Sequence, residues 1–234
     1  MTSKPVTSNA GRRQFLGSVM TGAAAAGIAT LTPFQSLKAE EKRVSVPNDD
    51  DPDAWFGKIK GKHRIIYDVP HPNEIFPFAW PRVFLLTNEK TGTPASACSV
   101  VVVLRHTAIA YAFGHSTWEK YKFGNLFGIK DAGTKAPAIR NAFWQPGPDD
   151  FKIPGIGSVD IGINSLQSSG VMFCVCDMAM TVFSATAAAS MNMDAAEVKK
   201  DWMSGLLPGI QPVPAGVWAV GRAQEHGCSY CYCG

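Results

Sequence analysis

Short apolar runs alternate with helix-like patterns along the chain from residue 63 onwards. The clearest run ends in the valines Val100 to Val103, which lack polar alternation, as is typical of a strand buried on both faces. The pattern predicts strands at 63–69, 97–104, 170–176 and 210–213, with 228–233 as an edge strand or tail. Strands that alternate with helices usually form a parallel sheet. The predicted fold class is therefore α/β, a single layered domain with a mostly parallel sheet and helices on both faces.

Capping residues mark the helices between these strands. Pro81 suits the first turn of a helix that runs to Lys90, because proline loses no helical hydrogen bond there. Asp177 can cap the helix after the third strand. Asp194 begins a capping-box pattern for a helix that ends near Gly205. Further helices are predicted at 160–169 and 217–226.

The N-terminal segment has the order of an export signal. Arg12 and Arg13 precede a weakly apolar stretch, 17–32, and a small residue, Ala39, offers a cleavage site. The apolar stretch is shorter than the roughly 20 residues that a spanning helix needs, so no stable membrane anchor is expected. We therefore predict that residues 1–39 are a twin-arginine signal peptide, that the twin-arginine translocase is a partner, and that the protein works in the periplasm.

Charge excludes one class of partner. Of the 22 basic residues, four lie in the predicted signal, which leaves 18 basic against 19 acidic side chains in the remainder. The remainder thus carries a formal charge of about −1 and lacks the basic footprint of a nucleic-acid-binding protein. No nucleic-acid partner is expected.

Two segments flank or interrupt the predicted domain, which spans 63–234. Residues 40–62 are predicted to be a polar linker, because the tract up to Asp53 has almost nothing to bury. Residues 113–157 form a long insert rich in aromatic side chains, glycine and proline. Such segments often act as lids or oligomer contacts, although most of these aromatic residues could equally be ordinary packing.

Four stretches of the chain together resemble the DsrE/DsrF-like family of sulfur-relay and thiol proteins. They are 100–106, 170–176 with the following Asp177 and Ala179, 212–217 and 222–227. The resemblance implies a layered α/β fold, frequent homo- or hetero-oligomers, and a cysteine near Cys176 that can carry persulfide sulfur. The chain departs from small cytoplasmic members of the family in its export signal, its insert and its cysteine-rich end, 226–234.

Cys176 has a physical case for reactivity that is separate from this resemblance. It is expected at the carboxyl end of a parallel strand and before a helix, where amide groups and the helix dipole stabilise a thiolate. Asp177 opposes that effect, and a buried structural thiol is the alternative. Cys174 should share a face with Cys176 and is a possible second thiol or a packing residue. Cys98 is expected in the core.

His106 follows the valine strand and should reach the same edge of the sheet. It is predicted to accept the proton of Cys176, although a solvated or backbone-bonded histidine is the alternative. The neighbouring Arg105 could bind an anion or be a surface charge.

The segment 226–234 concentrates three cysteines and one histidine: His226, Cys228, Cys231 and Cys233. This set suits a redox disulfide or a soft metal ion, and both possibilities stay open. A turn after Gly227 is expected to pair Cys228 with Cys231, because a disulfide needs Cα atoms about 4.4 to 6.8 Å apart. Cys233 is expected to act more independently.

The sequence thus favours a periplasmic protein of thiol or sulfur chemistry, either a persulfide carrier or a thiol redox protein, centred on Cys176. Two alternatives remain. The chain could bind or deliver a soft metal ion through its C-terminal cysteines, or it could be a non-catalytic module that forms oligomers. Whether the protein is an enzyme is left open.

Overall fold

The computed structural model describes residues 52–234, so the predicted signal peptide with Arg12 and Arg13 lies outside the described residues. The strands are β1 (His63–Val69), β2 (Cys98–Leu104), β3 (Lys152–Ile153), β4 (Gly157–Ser158), β5 (Val171–Cys176), β6 (Ile210–Val213) and β7 (Ser229–Tyr232). The α-helices are α1 (Pro52–Phe56), α2 (Phe76–Lys90), α3 (His115–Lys120), α4 (Phe123–Leu126), α5 (Ile163–Ser168), α6 (Asp177–Met191), α7 (Ala195–Ser204) and α8 (Gly216–Glu225). Two 3-10 helices, Ala95–Ala97 and His106–Ala112, complete the set.

Five strands form one sheet in the order β6-β5-β2-β1-β7, and every neighbouring pair is parallel. The short strands β3 and β4 pair separately as an antiparallel hairpin. Parallel neighbours need a crossover connection, and helices supply it in this chain. The predicted α/β fold with a parallel sheet is confirmed.

Hydrophobic side chains fill both sides of the sheet. Val100 and Val102 belong to the larger cluster, which the insert and α2, α5, α6 and α7 cover. Val101 and Val103 belong to the smaller cluster, which α1 and α8 cover. Successive strand residues point to opposite faces, so a continuous valine run is what a sheet covered on both faces requires.

The packed domain begins earlier than predicted. Trp55 and Phe56 of α1 are buried in the smaller cluster, and the Phe56 ring lies 5.7 Å from the Trp218 ring of α8. Two large aromatic side chains bury enough apolar surface to hold this short helix on the sheet. The predicted linker at 40–62 is therefore wrong in its last residues, which belong to the folded domain.

Three helix starts had been predicted from capping residues, with different outcomes. The prediction for Asp177 is wrong: Cys176 occupies the cap position of α6, and Asp177 is the first residue of the helix. Helix α2 starts at Phe76, so Pro81 lies in its interior and Pro77 occupies the first turn. The prediction for Pro81 is wrong, because Pro81 and its neighbours pack on the core and this burial outweighs the lost hydrogen bond. The cap at Asp194 is confirmed: its Oδ1 accepts hydrogen bonds from two backbone amides of α7, at 2.9 and 3.0 Å.

The insert packs as part of the domain. Six of its aromatic side chains are buried, namely Phe113, Trp118, Tyr121, Phe123, Phe127 and Phe143, while Trp144 is half-buried. Fully buried Asn141 donates hydrogen bonds to the carbonyl oxygens of Tyr111 and Phe113, at 2.9 and 3.0 Å. These contacts favour the packing interpretation of the aromatic residues over a lid. None of the helices between residues 52 and 234 combines the length and apolar character needed to cross a bilayer.

Candidate functional site

Because all five strands are parallel, their carboxyl ends meet at one edge of the sheet, called here the carboxyl edge. Cys176 ends β5, Arg105 follows β2, Asp68 lies near the end of β1, and Tyr230 lies in β7. Ligands of open parallel sheets bind outside this edge. The four side chains therefore lie where a site is expected.

Cys176 is the residue that caps α6. Its Sγ accepts a hydrogen bond from the backbone amide of Ala179 at 3.3 Å, and the residue is 7% exposed. Helix α6 has 15 residues, so the positive end of its dipole faces the sulfur.

The carboxylate next to Cys176 is balanced by a lysine. Asp177 Oδ2 lies 2.8 Å from Lys199 Nζ of α7, and the same ammonium donates to Thr181 Oγ1 at 2.6 Å. The sequence had suggested that Asp177 opposes a thiolate at Cys176. In the fold, this carboxylate is paired with the ammonium of Lys199.

Arg105 is held in place by a buried carboxylate. Its Nε and Nη2 donate to the two oxygens of Asp68 at 2.6 and 2.9 Å, and Tyr230 Oη donates to Asp68 Oδ2 at 2.8 Å. Asp68 is only 3% exposed. Burial and then this hydrogen bond raise the pKa of Tyr230 to about 12.

Arg105 also has a weak electrostatic interaction with Cys176. The hydrogen bond that Arg105 donates to Asp68 is the largest effect that raises the pKa of Arg105, and Cys176 is the smallest of the effects that raise it. The two groups are therefore within electrostatic range of each other. A line of interacting groups thus crosses the carboxyl edge from Cys176 through Arg105 and Asp68 to Tyr230.

Gly216 makes room for Arg105 at the start of α8. A Cβ on Gly216 would lie 2.5 Å from the Cβ and 2.9 Å from the Cδ of Arg105. Any side chain there would displace Arg105. The glycine therefore lets the arginine lie across the first turn of the helix.

His106 is not brought to Cys176. Its backbone is left-handed, with φ at 48°, and its ring lies 4.9 Å from the ring of His71 and 5.6 Å from that of Phe183. Within residues 52–234, no hydrogen bond joins the His106 ring to the Cys176 thiol. Burial, then His71 and Arg105, lower the pKa of His106. Arg105, rather than His106, is the residue with an electrostatic interaction with Cys176.

Cys174 of β5 is a packing residue, and Cys98 of β2 lies at the opposite edge of the sheet. Cys174 is fully buried in the smaller cluster, whereas Cys176 packs with the larger one, because the chain turns into α6 at that residue. The expected shared face is therefore wrong, and burial raises the pKa of Cys174. Cys98 is half-buried and lines a cavity of about 350 Å³ at the opposite edge of the sheet, together with Lys58, Lys60 and Lys62.

The cysteines of the tail divide between the two sides of the sheet. Cys228 is buried in the smaller cluster, and His226 stacks on Phe56 of α1 at 6.3 Å between ring centres. Cys231 and Cys233 pack with the larger cluster. The expected pairing of Cys228 with Cys231 is wrong, because β7 is extended where the prediction assumed a turn.

All six cysteines between residues 52 and 234 are free thiols. In the same part of the chain, no group of three or more His, Cys, Asp or Glu side chains is placed to hold a metal ion. The four tail residues therefore do not form one metal centre with each other.

Sequence reasoning missed three residues of the carboxyl edge: Asp68, Tyr230 and His71. Asp68 carried a usable signal, since it is an acidic residue in the apolar second half of β1, between Tyr67 and Val69. A charged group at such a position is buried only with a partner, and Arg105 is the partner. His71 carried no such signal, because only the fold brings its ring against His106.

Comparisons with known proteins add no function. No family model matches the chain, and no curated protein matches it. Among solved structures, the chain is similar to a protein of unknown function from Methanobacterium thermoautotrophicum. The identity is 14%, the match covers 73% of this chain and 98% of the other, and the TM-score is 0.36. A similarity this low carries no argument about the site.

Proposed function

We propose that this protein carries sulfane sulfur as a persulfide on Cys176. One observation carries the proposal: the Cys176 sulfur caps α6 at the carboxyl edge, within electrostatic range of Arg105. The sequence resemblance to DsrE-like proteins points to the same residue. A thiolate, rather than a thiol, is the nucleophile in such chemistry, and both neighbours favour the thiolate.

The loading step is an exchange at sulfur. The thiolate of Cys176 attacks the outer sulfur of an inorganic polysulfide, and a new S–S bond forms on the protein. The S–S bond of the donor breaks, and the donor leaves as a polysulfide anion shorter by one sulfur. No external oxidant is needed, because one S–S bond replaces another. Transfer to an acceptor thiol is the same exchange in reverse.

Arg105 is suited to hold the anionic donor. Its guanidinium carries five N–H donors, of which two bonds go to Asp68, so others remain for a ligand. The bidentate contact fixes the plane of the group, and about a quarter of the side chain is exposed. Asp68 and Tyr230 therefore act through Arg105 as positioning residues.

Export and association complete the proposal. The proposal includes export to the periplasm by the predicted twin-arginine signal, and oligomers are expected from the resemblance. The exposed side chains Met178 and Val182 lie one helical turn apart on α6, and Val217 is exposed near the start of α8. Exposed apolar side chains beside a site support an association surface there.

The proposal is tested by loading reduced full-length protein with sodium polysulfide without oxygen, followed by peptide mass spectrometry. Cys176 should gain the mass of one sulfur atom, and Cys176→Ser should lose this product. Cys174→Ser is the matched control, because that thiol is buried in the same strand, and its loading should be unchanged. Sulfur found mainly on Cys98 or Cys231, with Cys176→Ser unaffected, would overturn the proposal.

The role of Arg105 has its own test. Arg105→Gln should slow loading by about 10-fold, the effect of losing roughly 1.4 kcal/mol of stabilisation of an anion. Arg222→Gln is the control, since Arg222 pairs with Glu225 away from the carboxyl edge. Equal rates for the two variants would remove Arg105 from the mechanism.

A further inference from the structure

Two cysteines lie at the end of β7: Cys231 is inside the strand, and Cys233 follows its last residue, Tyr232. Cys231 and Cys233 are two residues apart in extended backbone, so their side chains leave the strand on the same face. Both pack with the larger cluster, and Cys231 is paired in register with Tyr67 of β1. Burial and then interactions with both cysteines raise the pKa of Tyr67, and burial and then an interaction with Cys231 raise the pKa of Cys233. The two sulfurs therefore form one local group.

The backbone fixes this pair, and solvent can reach it. The amide of Cys233 donates to the carbonyl oxygen of Asp68 at 2.8 Å, which holds the end of β7 against β1. Cys233 is 1% exposed, whereas Cys231 is half-buried. An ion could thus enter past Cys231 and be shielded at Cys233.

The neighbouring side chains do not supply further metal ligands to Cys231 and Cys233. The Asp68 carboxylate is occupied by Arg105 and Tyr230, and Cys228 packs on the other side of the sheet. Within residues 52–234, no third His, Cys, Asp or Glu side chain completes a metal-binding group. Structural zinc is nearly always held by four ligands, so this pair does not suit it.

We propose that Cys231 and Cys233 together bind one Cu(I) ion. Thiolate ligands select soft ions, and Cu(I) accepts the two ligands that the strand offers. Each thiol loses its proton and forms one Cu–S bond, and the copper stays Cu(I), so no electron is transferred. This site is separate from Cys176 and does not depend on the sulfur-carrier proposal.

The test uses reduced full-length protein under nitrogen, titrated with Cu(I) in competition with a chromogenic Cu(I) chelator. Wild-type protein should withdraw one copper per chain from the chelator. Cys231→Ser and Cys233→Ser should each lose this copper at the same chelator concentration. Cys228→Ser and Cys176→Ser should keep it, which separates this site from both the opposite face and the sulfur carrier.

Two further measurements make the outcome decisive. X-ray absorption of the copper-loaded protein should show two sulfur neighbours, and circular dichroism should show that Cys233→Ser, altered at a buried position, still folds. Copper retained by Cys231→Ser, copper lost by Cys228→Ser, or no uptake by the wild type would overturn the proposal. A site that binds zinc more tightly than Cu(I), with four ligand atoms around the metal, would also overturn the proposal.

Discussion

Replacing Asp68 with asparagine tests the group of contacts that crosses the carboxyl edge. The substitution keeps the size of the side chain and removes its charge. Arg105 then loses its counter-ion and the two-oxygen contact, because the NH2 group that replaces one carboxylate oxygen can donate but not accept. Tyr230 can still donate to the amide oxygen. The expected result is a folded but less stable protein in which Arg105 is no longer fixed.

The expected loss in the free energy of unfolding depends on how deeply the ion pair is buried. Breaking a fully buried ion pair by removing one partner costs about 3–5 kcal/mol. The side chain of Asp68 is 4% exposed but that of Arg105 is 26% exposed, so water can partly replace the lost partner. We therefore expect a loss of about 2–3 kcal/mol in the free energy of unfolding. For a chain of this size, that loss lowers the melting temperature by roughly 4–12 °C.

Urea unfolding of the reduced protein, followed by circular dichroism, measures the change. Glu225→Gln is the matched control: it also replaces a carboxylate that faces an arginine, Arg222, but on the exposed surface, and should have no measurable effect. In a double-mutant cycle, Asp68→Asn and Arg105→Gln should be strongly non-additive. An Asp68→Asn protein within about 0.5 kcal/mol of the wild type would refute the stabilising role of the pair.

Three other changes have defined outcomes. Gly216→Ala should lower stability by about 1–3 kcal/mol through its clash with Arg105, and should slow sulfur loading of Cys176; unchanged values in both assays would contradict that contact. Burial lowers the pKa of His106, so the native state binds fewer protons than the unfolded chain and stability should fall as the pH drops below about 6.5. Asparagine tolerates the left-handed backbone at position 106, so His106→Asn should fold normally. In this variant the urea midpoint should fall less at low pH than in the wild type. An identical pH profile for the two proteins would contradict the role of His106. Replacing both Arg12 and Arg13 with lysine should leave the precursor in the cytoplasm. Normal accumulation in the periplasm, measured by cell fractionation, would contradict the export prediction.

Local patterns predicted most of the sheet. The bounds predicted for β1 and β6 are those found, and β2 differs by one residue, because each strand is a short apolar run between polar or turn-forming residues. The α1 helix could not be predicted in the same way. The helix that contains Trp55 and Phe56 is stabilised by packing against α8. A pattern within five residues does not reveal such a distant partner.

The site was less predictable than the fold. The position of Cys176 follows from a strand and a helix that are adjacent in the chain, so sequence alone could locate it. The contact between Arg105 and Asp68 joins two strands and depends on their register, in which Asp68 pairs with Val103. The orientation of His106 depends on one positive φ angle, which no side-chain pattern indicates.

The order of the strands has a consequence for synthesis. Strand β1 lies between β2 and β7, and Ile65 of β1 pairs with Ser229 of β7. A ribosome that adds about 5–20 residues per second needs roughly 10–30 s to cover the interval between them. During that time one edge of β1 has no partner, and an unpaired strand edge is a template for pairing with other chains. The sheet is complete only after β7 has been synthesised. A translocase that takes folded cargo would therefore receive this domain after translation rather than during it.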